Sequence, residues 1–191
     1  MEPGESSLAI MMETNVINLA DIIILTGVSG VGKSTFAARL AKDLGASLIE
    51  GDDYHSPASI SRMARGLPLA DDDRWPWLEA VAVASNAVVG STGAGRVVIS
   101  CSALKRTYRD HLVTRCVTPP FFVQLHAPRA VIADRLAKRI GHFFHASLLD
   151  SQFDDLELSD HDERHCRVDA AGDVETVYAA IRQALSDRKQ P

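Results

Sequence analysis

The chain has 191 residues, which is long enough for one α/β domain with a sizeable core. Its 46% hydrophobic and 24% charged residues are typical of a globular protein, and its net charge of −5 argues against a nucleic-acid partner. No apolar run approaches the roughly 18 residues that a membrane-spanning helix needs, so we expect no membrane partner either.

The cysteines and the first residues bear on location and domain organisation. Cys101, Cys116 and Cys166 are widely spaced and fit neither a disulfide framework nor a zinc site, which favours a reducing, cytoplasmic setting. Residues 1–18 contain three glutamates and no basic residue, which is unlike a secretory signal. We expect a flexible extension over residues 1–18 and a single domain over residues 19–191.

Apolar runs alternate along the chain with segments of helical spacing. Strands are predicted over residues 21–26, 47–51, 96–101, 120–126 and 165–169. Helices are predicted over residues 34–44, 77–90, 128–140 and about 173–186. This alternation indicates an α/β fold with three αβα layers, in which helices cover both faces of a five-stranded parallel sheet. Two polar insertions, 51–76 and 141–164, are the segments where we expect ligand groups.

A phosphate-binding loop follows the first predicted strand. The segment GVSGVGKS fits the pattern G-x-x-x-x-G-K-[ST], and the first predicted helix begins within it. Glycines let successive backbone N–H groups face phosphates, and the helix start adds its positive dipole end. The pattern predicts ATP with Mg²⁺, the lysine contacting phosphates and the serine hydroxyl binding the metal. The loop residues are Gly27, Val28, Ser29, Gly30, Val31, Gly32, Lys33 and Ser34.

The loop alone does not distinguish a motor ATPase, a GTPase and a small kinase. No asparagine precedes a lysine, so the guanine-reading motif of GTPases is missing. The strand at 96–101 does not end in an acid, so the usual Walker-B aspartate is absent at that position. An acid instead follows the second strand, at Asp52. A carboxylate at this place in a small kinase can accept the proton of an attacking hydroxyl or help to hold magnesium. The alternative is a solvated acidic turn.

Basic residues after the next elements are candidates for binding anions. Arg74 lies between acids and tryptophans, a context that favours a fixed charge over an ordinary surface arginine. Lys105 and Arg109 follow the third strand at i,i+4 spacing and could grip an anionic acceptor, or could simply belong to a basic helix start. Arg135 and Arg139 end a predicted helix and suit a lid that closes on phosphates, with dipole compensation as the alternative.

A set of stretches outside the loop is more specific than the loop itself. They are residues 51–55 (GDDYH), 71–78 (DDDRWPWL), 101–106 (CSALKR), 141–144 (GHFF) and 151–153 (SQF). Together with the loop they resemble the gluconokinase family of P-loop kinases, which belongs to the nucleoside-monophosphate-kinase-like branch. The likeness runs from about residue 20 to residue 185, and implies a P-loop kinase fold with a mobile lid over about residues 138–160.

The resemblance implies a reaction and a set of roles. The reaction is transfer of the ATP γ-phosphate to the 6-hydroxyl of D-gluconate, which would feed gluconate into the pentose phosphate pathway. By matching position, residues 27–35, including Thr35, hold the triphosphate, and Ser34 binds Mg²⁺. Asp52 is the implied acid on the acceptor side and a second candidate ligand of the metal. Lys33, Asp52 and Arg139 are the implied catalytic residues, and Arg135 packs on adenine. The implied acceptor pocket is Asp52, His55, Arg74, Lys105, Arg109 and His142.

Two other interpretations stay open at this point. One is a P-loop kinase of a different small hydroxy acid, such as shikimate. The other is a non-catalytic ATP-binding regulator, although the intact Lys33, Ser34 and Asp52 argue against it. The family also commonly forms homodimers, which makes a homodimer an expectation for this chain.

Overall fold

The computed structural model describes residues 22–92, 95–138 and 146–187. Five parallel strands form one sheet in the order β2-β3-β1-β4-β5. They are β1 (Ile22–Thr26), β2 (Ser47–Glu50), β3 (Val97–Ser100), β4 (Phe121–His126) and β5 (His165–Asp169). Each falls within a segment where the apolar runs predict a strand, so the five-stranded parallel sheet is confirmed.

Within the described residues, seven α-helices and one short 3₁₀ helix accompany the strands. The α-helices are α1 (Lys33–Leu44), α2 (Pro57–Ala64), α3 (Asp71–Thr92), α4 (Arg106–Arg115), α5 (Arg129–Ala137), α6 (Ala146–Asp154) and α7 (Val174–Ser186). The 3₁₀ helix spans Gly51–Tyr54. Helices α2 and α6 lie inside the two polar insertions, and α3 begins six residues before the predicted start at 77. None of these described helices is long and apolar enough to cross a bilayer.

The central strand β1 is buried on both faces, which explains its continuous apolar run. Ile23 and Leu25 join the core formed with α1 and α7, while Ile22 and Ile24 join the core formed with α3 and α4. Alternate side chains of a strand point to opposite faces, so one strand anchors both helical layers. The αβα architecture is therefore confirmed.

The sheet brings three loops to one edge. Leu25 of β1 and Glu50 of β2 are both in register with Ser100 of β3, so these three parallel strands end together. The segments that follow them are the phosphate loop, the 3₁₀ helix with Asp52, and residues 101–105. Ligands of open α/β sheets bind at this carboxyl edge, which makes it the place to look for the site.

Part of the predicted organisation lies outside the described residues. The N-terminal extension over residues 1–18 is one such part, and so is the segment 139–145 of the predicted lid. The described remainder of the lid segment contains α6 and the loop after it. Lid motion and the extension's flexibility therefore stay predictions.

Candidate active site

The phosphate loop has a backbone that only glycine can adopt without strain. Gly27 has φ +138°, and a Cβ there would meet the carbonyl oxygen of Leu125 at 2.4 Å. Gly32 has φ +108°, and its Cβ would meet the Phe36 ring at 2.7 Å. Both φ values lie where L side chains are disfavoured. At these two positions the loop backbone carries no side chain, which fits the close approach of a triphosphate.

Lys33 is the buried cation of this loop. Its Nζ donates a hydrogen bond to the carbonyl oxygen of Val28 at 3.1 Å. Burial lowers the pKa of Lys33, and the negative charge of Asp52 counteracts this only in part. A buried ammonium with few compensating charges favours an anionic ligand, because a ligand would supply the missing negative charge.

Ser34 and Asp52 offer oxygen atoms to a hard cation. Ser34 Oγ lies 3.4 Å from Ser100 Oγ at the first turn of α1, and the Asp52 side chain is 68% exposed. Among the described residues no group of three or more His, Cys, Asp or Glu side chains could enclose a metal ion. This sparse donor set fits Mg²⁺, which usually keeps several waters and shares phosphate oxygens with few protein ligands.

A cavity of about 270 Å³ opens beside the loop. Five parts of the fold contribute charged or polar groups to it: the phosphate loop, the segment after β2, helix α3, the segment after β3 and helix α6. The polar residues that line the cavity are Ser29, Lys33, Asp52, His55, Arg74, Ser102, Ser151 and Gln152. The structure thus brings five of the predicted site residues, Ser29, Lys33, Asp52, His55 and Arg74, to one cavity.

His55 is held between Trp77 and Asp52. Its ring stacks on Trp77 with 4.3 Å between centroids, and its Nε2 lies 3.9 Å from Asp52 Oδ1. Among the described residues, the buried Nδ1 has no hydrogen-bond partner. Burial lowers the pKa of His55 below its usual value, despite the opposing effect of Asp52. A neutral imidazole with one unsatisfied nitrogen at a cavity wall is suited to hydrogen bonding with a polyhydroxylated ligand.

Stability should depend on pH through His55. Below about pH 6.5 the unfolded histidine takes up a proton that folded His55 does not, so acid favours the unfolded state. We expect the unfolding free energy of the wild type to fall between pH 7 and 5.5 more steeply than that of His55→Phe, in urea titrations. Exposed His161, whose pKa is raised by Asp160, provides a control, since His161→Phe should change the slope in the opposite sense. Parallel wild-type and His55→Phe curves would contradict this account.

Arg74 belongs to an ionic cluster that also contains Asp71, Lys105, Tyr108 and Asp155. Arg74 Nη1 donates to Tyr108 Oη at 2.6 Å and to Asp155 Oδ2 at 2.7 Å. Lys105 Nζ lies 2.8 Å from Asp71 Oδ1 and 3.3 Å from Asp155 Oδ1. Burial would lower the pKa of Arg74, but the bonds to Tyr108 and Asp155 raise it, and the bond to Asp71 raises that of Lys105. Arg74 lines the cavity, whereas Lys105 stands behind it in this cluster.

Arg109 corrects one sequence prediction. Its side chain is only 1% exposed and forms two hydrogen bonds with the carboxylate of Glu163, at 2.6 and 3.0 Å. It also donates to the carbonyl oxygens of Leu104 and Glu157. The structure therefore brings neither Arg109 nor Lys105 to the cavity wall, and it does not place the two side chains together. The i,i+4 spacing failed here because it fixes a helix face but not the partner that a long side chain reaches.

A structural role for Arg109 predicts a large loss of stability. Arg109→Met would leave Glu163, itself 5% exposed, as an uncompensated buried charge, and we expect the unfolding free energy to fall by about 3–5 kcal/mol. The measurement is urea denaturation, with Arg115→Met as control, because Arg115 belongs to the same helix and its ion pair with Glu79 is exposed, so its loss should change stability little. If Arg109→Met instead raised only the KM of the acceptor, Arg109 would be a pocket residue after all.

The remaining predicted residues fall at or beyond the edge of the described site. Arg135 donates to the carbonyl oxygens of Ala171 and Gly172, in the loop after β5, at 3.2 and 2.9 Å. Arg139 and His142 lie outside the described residues. Thr35 is exposed on the first turn of α1.

Two cavity residues carry contacts that the sequence reasoning did not assign. Trp77 packs in the core, and its Nε1 also donates to the carbonyl oxygen of Gly51 at 2.7 Å, which fixes the backbone next to Asp52. Gln152 of α6 bonds to Ser29 of the phosphate loop. The SQF stretch signalled that this region is family-specific, but nothing in the sequence pairs Gln152 with a residue 123 positions earlier.

The parallel sheet in the order β2-β3-β1-β4-β5, the glycine-rich loop and the acid after β2 define a P-loop kinase, an ATP-using phosphotransferase. A family model described as an AAA domain matches residues 22–157. A probable gluconokinase of Saccharomyces cerevisiae is 45% identical, covering 86% of this chain and 88% of that protein.

The thermosensitive gluconokinase of Escherichia coli is 40% identical, covering 85% of this chain and 86% of that protein. The crystal structure of a gluconokinase from Sinorhizobium meliloti superimposes with a TM-score of 0.78 at 39% identity, covering 86% and 91% of the two chains. The chain belongs to the gluconokinase family.

Proposed function

We propose that this protein transfers the γ-phosphate of ATP to the 6-hydroxyl of D-gluconate. The observation that carries the proposal is one cavity shared by Ser29 and Lys33 of the phosphate loop with Asp52, His55 and Arg74. The first two residues belong to a triphosphate cradle, and the other three are a carboxylate, a neutral imidazole and a guanidinium. A kinase of a sugar acid needs this combination, because its acceptor carries both hydroxyls and a carboxylate.

On the nucleotide side, the chain supplies positive charge and backbone donors. The N–H groups of the loop and the ammonium of Lys33 neutralise phosphate oxygens, which lowers the energy of the in-line transition state. Mg²⁺, held by Ser34 with Asp52 as a second candidate ligand, would neutralise further phosphate charge. Arg139 is proposed to contact the transferring group, and Arg135 to pack on the adenine; both roles come from the resemblance alone.

On the acceptor side, Asp52 is the proton acceptor. The 6-oxygen of gluconate forms a bond to Pγ while the bond from Pγ to the bridging oxygen breaks, and ADP leaves with those electrons. The hydroxyl proton passes to the Asp52 carboxylate. We propose that His55 hydrogen-bonds an acceptor hydroxyl and that Arg74, backed by Lys105, faces the acceptor carboxylate. His142 is proposed as a further acceptor contact on the strength of the resemblance.

Two statements about the protein's setting are proposals of the same kind. A cytoplasmic location is supported by the three cysteines, none of which forms a disulfide. A homodimer is proposed from the resemblance, and sedimentation of the purified protein would test it.

An acceptor panel tests the proposed function. ADP release would be measured with gluconate, other sugar acids and shikimate, and the product would be identified by mass. We expect 6-phosphogluconate and a kcat/KM for gluconate well above that for shikimate. A preference for shikimate would support the kinase of another hydroxy acid, and ATP binding without turnover on any acceptor would support a regulator.

A further inference from the structure

Helix α6 contacts the phosphate loop through Gln152. Gln152 Oε1 accepts a hydrogen bond from the backbone N–H of Ser29 at 2.6 Å. Gln152 Nε2 donates to Ser29 Oγ at 3.1 Å. One carboxamide thus accepts from the backbone N–H and donates to the side-chain hydroxyl of the same loop residue, because a glutamine side chain offers both an acceptor and a donor. Both Gln152 and Ser29 line the cavity.

The seating of α6 makes this contact rigid. Leu149 is buried in the core, and Phe153, four residues later, packs against the same core. Leu148, Ser151 and Gln152 lie on the face that lines the cavity. Because residues three or four apart share a helix face, the buried pair fixes the rotation of α6 and aims Gln152 at the loop. The contact therefore joins α6, which lies within the predicted lid segment, to the triphosphate cradle.

The contact lies where small displacements of the loop would lower the rate of phosphoryl transfer. Ser29 precedes Gly30 in the loop, and the glycines there leave few side-chain contacts that could hold the backbone in place. Transfer in line requires the reacting atoms to be aligned to within about an ångström. The same side chain also closes one wall of the cavity beside Lys33 and Asp52.

We propose that Gln152 is a positioning residue for phosphoryl transfer. It holds Ser29 and the front of the phosphate loop from α6, and it keeps water away from the transferring group. The proposal rests on the proposed kinase function. It predicts that loss of Gln152 lowers kcat and raises the fraction of ATP that is hydrolysed by water rather than transferred to gluconate. Nucleotide binding should change less.

The first test is Gln152→Met, which keeps the length of the side chain and removes both hydrogen bonds. We expect kcat with gluconate to fall about tenfold, because two modest hydrogen bonds are lost, while KM for ATP changes less than threefold. We also expect more ADP per molecule of phosphorylated gluconate than in the wild type. The matched control is Asp154→Ala, which changes an exposed residue of the same helix. Thermal midpoints ensure that every variant is folded at the assay temperature.

The second test is a double-mutant cycle with Ser29→Ala. Ser29→Ala removes the bond to Ser29 Oγ and keeps the bond from the backbone N–H. If Gln152 acts partly through Ser29 Oγ, the two substitutions together should cost less than the sum of the single effects, in kcat and in the thermal midpoint. Additive effects would overturn the part of the proposal that assigns positioning to the Oγ bond. A Gln152→Met variant with wild-type kcat and the wild-type ratio of ADP to phosphorylated gluconate would overturn the whole proposal. A wild-type protein inactive on gluconate would refute the proposed function instead, and the cycle read in thermal midpoints would still test the Gln152–Ser29 contact.

Discussion

Replacing Lys33 with methionine lowers kcat by a factor of about 10²–10³, the typical cost of removing one positioned electrostatic donor. Methionine keeps the apolar stem and deletes the ammonium. The ammonium is the buried charge of the loop, with Val28 O as its hydrogen-bond acceptor. Its attraction for phosphate oxygens is therefore weakly screened by water, and it strengthens as charge shifts toward the leaving group.

The Lys33→Met variant should lose kcat without losing unfolding free energy. Burial lowers the pKa of Lys33, which means that the folded protein holds the charged form at a cost. We therefore expect the unfolding free energy of Lys33→Met to equal or exceed that of the wild type. Functional residues often carry such a cost, and the opposite changes in kcat and stability would identify Lys33 as one of them.

The measurements are steady-state kinetics with gluconate and urea denaturation of the same samples. Lys42→Met is the matched control, because it removes a lysine from the exposed end of the same helix. It should leave kcat within a factor of two. Turnover of Lys33→Met close to that of the wild type would refute the role given to the ammonium. A large loss of stability would instead show that the Lys33–Val28 bond is structural.

The fold was predictable because its signals are local. The run at β1 is apolar without alternation, as expected for a strand covered on both faces. The glycines of the loop indicate positions where the backbone has a positive φ. Helix α7 was predicted from its apolar spacing, and the side chain of Asp173 caps it by accepting from the N–H of Thr176. Helices α2 and α6 were missed, and α4 was considered only as a possible basic helix start, since eight to ten residues are too few for the apolar spacing to stand out.

The site was predictable only where chain order already determines position. Lys33 follows β1 and Asp52 follows β2, the two parallel strands that flank β3, so topology alone brings them to the same edge of the sheet. The placement of Arg109 could not be predicted, because its partner Glu163 is 54 positions away and no local sequence pattern indicates a long-range ion pair. The same reason hid the contact between Gln152 and Ser29. Long-range pairs that join loops are thus what the structure adds to the sequence.

The other large effect is expected at Asp52. Asp52→Asn keeps the size of the side chain but removes the proton acceptor, and we expect kcat to fall by about 10²–10³, within the usual range for general base catalysis. KM for ATP should change less than threefold. Asp53→Asn is the control, because Asp53 is the exposed neighbour that does not line the cavity. A variant whose main defect is a higher requirement for ATP and Mg²⁺ would move Asp52 from base to metal ligand.

The pH profile gives this variant a second, independent readout. Among the groups that raise the pKa of Lys33, Asp52 has the largest effect, so its neutralisation leaves the ammonium with the desolvation cost and less compensation. The pKa of Lys33 should therefore fall further, and the alkaline limb of residual kcat should move to lower pH than in the wild type. Asp53→Asn should leave that limb in place. An unshifted limb in Asp52→Asn would mean that the lysine and the carboxylate act independently, and that the cavity is not the single electrostatic unit from which the proposed transfer was derived.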